Sequence, residues 1–367
     1  MLQRLGWFTV RRRGWVLAGT LVALVVSGAL GGGVFQRLSS GGFSDPGAES
    51  SRATDQLEDE FGTGDVNLVL LVTSGSGSVD DPAVTAAGAA LTEELAAEPS
   101  IEQAFSYWTL GAAPPLRSDD GTEALVLARI GGDEDAVDEA VEELSTRYTR
   151  DDELLSVAVG GQAEVFRQVS TQVESDLQRA EAITFPIVAI LLVLVFGSVI
   201  AAGLPLAVAA ISVAGTFLML FLLTLVTDVS IFSINLTTAL GIGLGIDYSL
   251  FIVSRFREEM RAGLAPHDAV VRTVETAGRT VLFSGLTVAI SLAALLVFPM
   301  FFLRSFAYAG IAVVALAGFG ALVFLPSLLA VLGPRVDRWS LVRRAQTAAG
   351  EGAWHRVATF VMRRPWP

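Results

Sequence analysis

Apolar runs of about twenty residues recur along this chain, and a helix needs about that length to cross the hydrocarbon of a bilayer. The first occupies residues 15–35; five more follow at about 183–200, 204–226, 231–254, 281–298 and 306–332. Irregular backbone in lipid would leave its polar groups unsatisfied, so each run is expected to be a helix. A hydrophobic share of 52% and a mean hydropathy of +0.57 fit a polytopic α-helical membrane protein with six transmembrane helices. The first run is too long for the apolar core of a signal peptide. The first reversal is placed at Gly203-Leu204-Pro205 and the second at Thr227-Asp228-Val229-Ser230, both short.

Between residues 36 and 180 the pattern changes, with 29 Asp and Glu against 8 Arg. This reads as a water-exposed domain whose acidity is solvated surface. Strands are expected at 65–73, 101–108, 123–130 and 154–161, and helices at 82–97 and 133–150, the second acidic and amphipathic. The order β-α-β-β-α-β is the ferredoxin-like split motif, which places four antiparallel strands under two helices. A further helix from about Gln162 leads back to the membrane.

All 25 basic residues are arginine. Arg4, Arg11, Arg12 and Arg13 precede the first run, five more lie at 255, 257, 261, 272 and 279, and four at 335, 338, 343 and 344. Six spans put these clusters on one side, and basic loops stay cytoplasmic. The N-terminus is therefore expected inside the plasma membrane and the acidic α+β domain outside it, with Arg304 the clear basic exception in an outer loop. The division reads 1–35 for the first helix, 36–180 for the outer domain, 181–334 for five helices with a cytoplasmic loop at 255–279 carrying an amphipathic helix, and 335–367 for a cytoplasmic tail.

Composition also excludes. Without lysine there is no P-loop and no Schiff base, so ATP hydrolysis by this chain is not its energy source. Without cysteine there are no disulfides and no thiol chemistry. His267 and His355 stand apart, lack a second ligand at metal spacing, and read as solvated. No pair of carboxylates stands out as catalytic. Neither an enzyme, a metal, a cofactor nor a nucleic-acid partner is expected.

One carboxylate breaks the apolar pattern. Asp247 lies in ALGIGLGIDYSLFIVSRFREE, about one turn past the middle of the fourth run. A charge there costs roughly 2.5 to 3.5 kcal/mol on insertion scales, and ionisable residues inside membranes are usually functional. At helical spacing Gly243, Asp247 and Ser254 share one face, while Gly241, Gly245, Tyr248 and Ile252 share the next. The small pair Gly241 and Gly245 admits a second helix, an approach expected to seal the carboxylate from lipid. On the fifth run Thr280, Ser284, Thr287 and Ser291 form a polar stripe, readable as a proton relay or as hydroxyls bonded to their own backbone.

The segment GIGLGIDYSLFIVSRFREE, together with one helix, a large polar domain and five more helices, resembles the MMPL family of the resistance-nodulation-division transporters. The resemblance implies that Asp247 carries protons, that Tyr248 is its hydrogen-bonding partner and that Ser284 neighbours the site. It implies export of lipids or other hydrophobic molecules from the plasma membrane in exchange for protons. Family members carry a second six-helix half that faces the first, so a partner half, from the same full-length chain or a homo-oligomer, is expected. The tail GAWHRVATFVMRRPWP echoes the start GWFTVRRRGWV, as if a second unit were beginning, and the chain reads as a fragment of a longer protein. Rival readings are a lipid sensor of the sterol-sensing type and a proton-driven accessory of protein secretion.

Overall fold

Helices that must satisfy their own backbone in lipid account for most of the chain. The computed structural model describes residues 1–39, 41–43, 45, 47–61, 64–338 and 359–363. Its elements run α1 (Leu2–Arg11), α2 (Arg13–Gly31), α3 (Glu49–Phe61), β1 (Leu68–Ser74), α4 (Pro82–Ala96), β2 (Ile101–Ser106), β3 (Glu123–Ile130), α5 (Glu134–Tyr148), β4 (Arg150–Asp151) and β5 (Leu155–Gly160). The second half is helical: α6 (Gln162–Phe196), α7 (Val199–Leu223), α8 (Ser233–Arg261), α9 (Pro266–Ala293), α10 (Phe301–Phe319) and α11 (Leu325–Leu332).

Six of these helical stretches are long and apolar enough to cross a membrane. They are α2 with its 3-10 extension to Gln36, then α6, α7, α8, α9 with its extension to Val297, and α10 joined to α11 through a π-helical turn at Gly320–Phe324. Small residues bring them together. A Cβ on Gly31 would lie 3.1 Å from the Leu218 backbone of α7, and one on Gly320 would lie 2.8 Å from Val208. Side chains turned outward, such as Val25, Ile190, Phe283 and Ile290, stay exposed, as a lipid-facing surface requires.

Several boundaries differ from the sequence reading. The first reversal falls at Gly197-Ser198, not at Gly203-Leu204-Pro205, which lies within α7. Gly197 adopts φ 71°, the left-handed conformation that ends helices, and the buried Ser198 hydroxyl donates to the carbonyls of Val336 (2.9 Å) and Arg338 (2.8 Å). Residues 255–279 are not a loop with its own helix. They are the ends of α8 and α9, joined by a turn at 262–265 in which Gly263 takes φ 90°. The second reversal, at 224–232, lies where expected. The sequence reading missed α1 and α3. His267, read as solvated, is exposed but lies 2.7 Å from Arg13 Nη1. His355 and most of the tail lie outside the described residues.

The sheet follows from period-two alternation. Leu68, Leu70, Val72 and Ser74 of β1 are buried, and the residues between them less so. Strand order is β2-β3-β1-β5-β4, and every neighbouring pair is antiparallel. The two-residue β4 is an addition at the edge. Val84, Leu91 and Leu95 of α4 and Val141, Leu144 and Tyr148 of α5 join the buried strand residues in one core. Two features then tie this sheet unit to the helices. Ser39 pairs with Ser230 as an isolated parallel bridge, and its hydroxyl donates to Asp135 at the start of α5 (3.3 Å). Beside it Phe43 packs on Phe166 of α6, on Phe232 and on Phe302 of α10, with centroids 4.7 to 5.9 Å apart.

Candidate functional site

Helix α8 packs by one face and leaves the other open. Gly241, Gly245, Tyr248 and Ile252 are buried, whereas Gly243, Asp247 and Ser254 are exposed, so the two faces read from helical spacing are physically distinct. The buried glycines meet α7. A Cβ on Gly241 would stand 2.7 Å from Val213 Cγ2, and one on Gly245 would stand 2.7 Å from the Cα of Ala209. This contact does not seal Asp247. Two residues along a helix is about 200° of rotation, so the face that admits α7 at Gly245 turns Asp247 outward.

Tyr248 points inward, with 1% of its surface exposed. Its hydroxyl lies beside Ser284 and against α9, where a Cβ on Gly285 would be 3.4 Å away. It makes no hydrogen bond of good geometry among the described residues. Tyr248 and Asp247 are therefore adjacent in sequence but diverge by about 100°, one toward α9 and one toward the open face. Ser284 is exposed and is brought to the Tyr248 side of the site.

The polar stripe on α9 is also exposed at Thr280, Ser284, Thr287 and Ser291. Thr287 donates to the Phe283 carbonyl (2.9 Å) and Ser291 to the Thr287 carbonyl (3.0 Å), the self-bonding arrangement. The structure thus brings together Tyr248 and Ser284. It sets Gly243 and Asp247 on one uncovered face, and it uses Gly241 and Gly245 for packing.

Sequence reasoning missed Ser233 and Thr237. Both are buried on α8, two turns and one turn before Gly241 respectively, and their hydroxyls have no hydrogen-bond partner among the described residues. The four-residue spacing Ser233, Thr237, Gly241, Gly245 was the available signal. It also missed Glu259, which is buried at the other end of α8 and paired with Arg255 at 2.5 Å. Among the described residues no group of His, Asp and Glu is placed to hold a metal ion.

The model of the MMPL family matches residues 42–367. The chain belongs to the MMPL family. Among its MMPL relatives, the trehalose monomycolate exporter MmpL3 of Mycobacterium tuberculosis is 32% identical over 401 residues, covering 97% of this chain and 41% of that protein. The membrane protein SCO6666 of Streptomyces coelicolor is 38% identical over 368 residues, 99% of this chain and 51% of the relative. The heme uptake protein MmpL11 of M. tuberculosis is 31% identical over 97% of this chain and 38% of its own length. This MMPL chain thus spans about half the length, or less, of these relatives. A solved heavy metal efflux pump is a more distant likeness, with TM-score 0.47 and 14% identity over 72% of this chain and 36% of its own.

Proposed function

We propose that this chain is one half of a proton-driven exporter of lipids or other hydrophobic molecules, seated in the plasma membrane with its N-terminus cytoplasmic. The observation that carries the reading is Asp247: an acid in the middle of an apolar spanning helix, on a face left exposed by the described residues. In that place the charged form is costly, which suits a group that takes up a proton from one side and releases it to the other. Tyr248 and Ser284 supply hydroxyls on the neighbouring helix contact, and the exposed face of α8 and α9 is where a second six-helix half, from the same full-length chain or a homo-oligomer, completes the site.

The sheet unit is the porter domain in this reading, outside the membrane. Its strand order, with both helices feeding one core, supports the ferredoxin-like fold. The arginine clusters at the opposite ends of the helices support the orientation. Export is favoured because the MmpL3 relatives are named exporters.

The test is substrate export in vesicles by the protein with both halves present, driven by an imposed proton gradient. Asp247→Asn keeps the shape of the side chain and cannot release a proton. Export by this variant is expected to fall to background at every pH while expression and folding stay normal, and Tyr248→Phe is expected to be milder. Export by Asp247→Asn at a rate comparable to wild type would falsify the assignment.

A further inference from the structure

At the arginine-rich end of the bundle α1 lies across α9. A Cβ on Gly6 would come within 3.0 Å of Val271 Cα, so the two backbones are in close contact there. Beyond that contact the helices diverge around a cavity of 940 Å³, within the upper range of ligand sites. Leu5, Phe8, Leu282, Phe283 and Leu286 give it apolar walls, and Arg4 and Arg279 line it as well. A second cavity of 430 Å³ shares Leu5, Leu282 and Leu286 with the first and runs along α9 as far as Tyr248. The two make a continuous groove, basic at one end and apolar along its length.

The neighbouring arginines are mostly engaged. Arg13 lies 2.7 Å from His267 and donates to the Ala330 carbonyl, Arg255 pairs with Glu258 and Glu259, Arg257 with Asp337, and Arg272 with Glu275. Arg4 and Arg279 have no such partner among the described residues, and both are exposed. Two cations at one apolar groove call for an anion that carries its own apolar tail. Helix α1 is also built for a membrane surface, with Trp7 and Phe8 exposed next to arginines and Arg11 lying 5.6 Å over the Trp7 ring. That places Arg4 at headgroup depth.

We propose that this groove binds an anionic phospholipid, with its phosphate between Arg4 and Arg279 and one acyl chain laid along α9 toward Tyr248. Basic pockets between helices at a membrane surface recognise lipid headgroups in this way. The inference requires only that the helices lie in a bilayer, and it stands whether or not the chain transports anything.

The chain, purified in mild detergent and offered mixed phosphatidylglycerol and phosphatidylcholine, is analysed for retained lipid by native mass spectrometry. Phosphatidylglycerol is expected to be preferred by about thirtyfold, the effect of two arginines near an anionic headgroup. Arg4→Ala with Arg279→Ala should bring the preference close to parity. Leu286→Trp keeps both arginines, fills the groove from an exposed position and should lower retention of either lipid. Arg272→Ala, which removes an exposed arginine of α9 outside the groove, should change nothing, and excess glycerol phosphate should not displace the lipid. Parity in the wild type, a preference that survives the double substitution, an equal loss with Arg272→Ala, displacement by glycerol phosphate, or no retained lipid because a second copy fills the groove would each overturn the proposal.

Discussion

A methyl group added at Gly245 would sit 2.7 Å from the Cα of Ala209 and 2.8 Å from its nitrogen, so Gly245→Ala must push α7 and α8 apart. The expected loss is about 1 to 3 kcal/mol, the usual penalty for overpacking, read as a lowered thermal midpoint. Gly243, two residues away, meets nothing within 4 Å, so Gly243→Ala should leave stability unchanged or raise it by up to about 1 kcal/mol through helix propensity. The spacing of the glycines was legible in the sequence. Which of them packs was not, because burial depends on where α7 lies. The same limit applies to Asp247, whose apolar surroundings were plain from the run of residues while its exposure required the neighbouring helices. Asp120 offers a test outside the membrane. The Ser118 hydroxyl and the Thr122 amide and hydroxyl donate to its carboxylate and hold its pKa down to about 2, from an ordinary 3.8. The folded value is the lower one, so the stabilisation is present above 3.8 and is lost as pH falls toward about 2. Thermal midpoints of wild type and Asp120→Asn should accordingly differ at neutral pH and converge near the acid end of that window.

The elements divide by how local their causes are. Strands β1, β3 and β5 alternate so regularly that their spans were readable to within a few residues, and the acidic helix α5 was equally plain, with Asp133 capping it through the Ala136 amide. Leu70 sits in the middle of β1, fully buried and paired with both Val126 and Val159. Leu70→Ala should cost about 2 to 5 kcal/mol, seen as faster amide exchange across β1, β3 and β5 with the helices unaffected. The helix breaks were harder to read. Gly203-Leu204-Pro205 carries strong turn signals, yet a proline inside a spanning helix is tolerated when its neighbours compensate, and Gly197 ends α6 instead. Helix α1 escaped notice because its ten residues mix arginines with apolar side chains, and only contact with other helices, α9 and α11 among them, makes one face of it interior.

At the scale of the molecule, the adjacent helices α8 and α9 form a flank of the bundle that carries exposed polar groups within their apolar spans. Asp247 of α8 and Thr280, Ser284, Thr287 and Ser291 of α9 are all exposed, although the stretches around them are largely apolar. A membrane-permeant carbodiimide should therefore modify Asp247 readily in this chain alone, and much more slowly once a second half is present. Equal labelling in both forms would mean that this flank is not where the halves meet. Besides the contacts at Ser39 and Phe43, the sheet unit has a continuous backbone route into the bundle. Helix α6 provides it: 35 residues without a break, from Gln162 at the sheet to Phe196 in the bundle core. At 1.5 Å per residue it is about 52 Å long, so a tilt of about 5° at one end displaces the other by about 4 to 5 Å. Within it Pro186 removes one backbone hydrogen bond at the level where the helix becomes apolar. Stiffness at that proline sets how faithfully the lever transmits torque: a rigid α6 would convert a small rocking of the bundle into a wide swing of the sheet, and a pliant one would let the two ends move out of step.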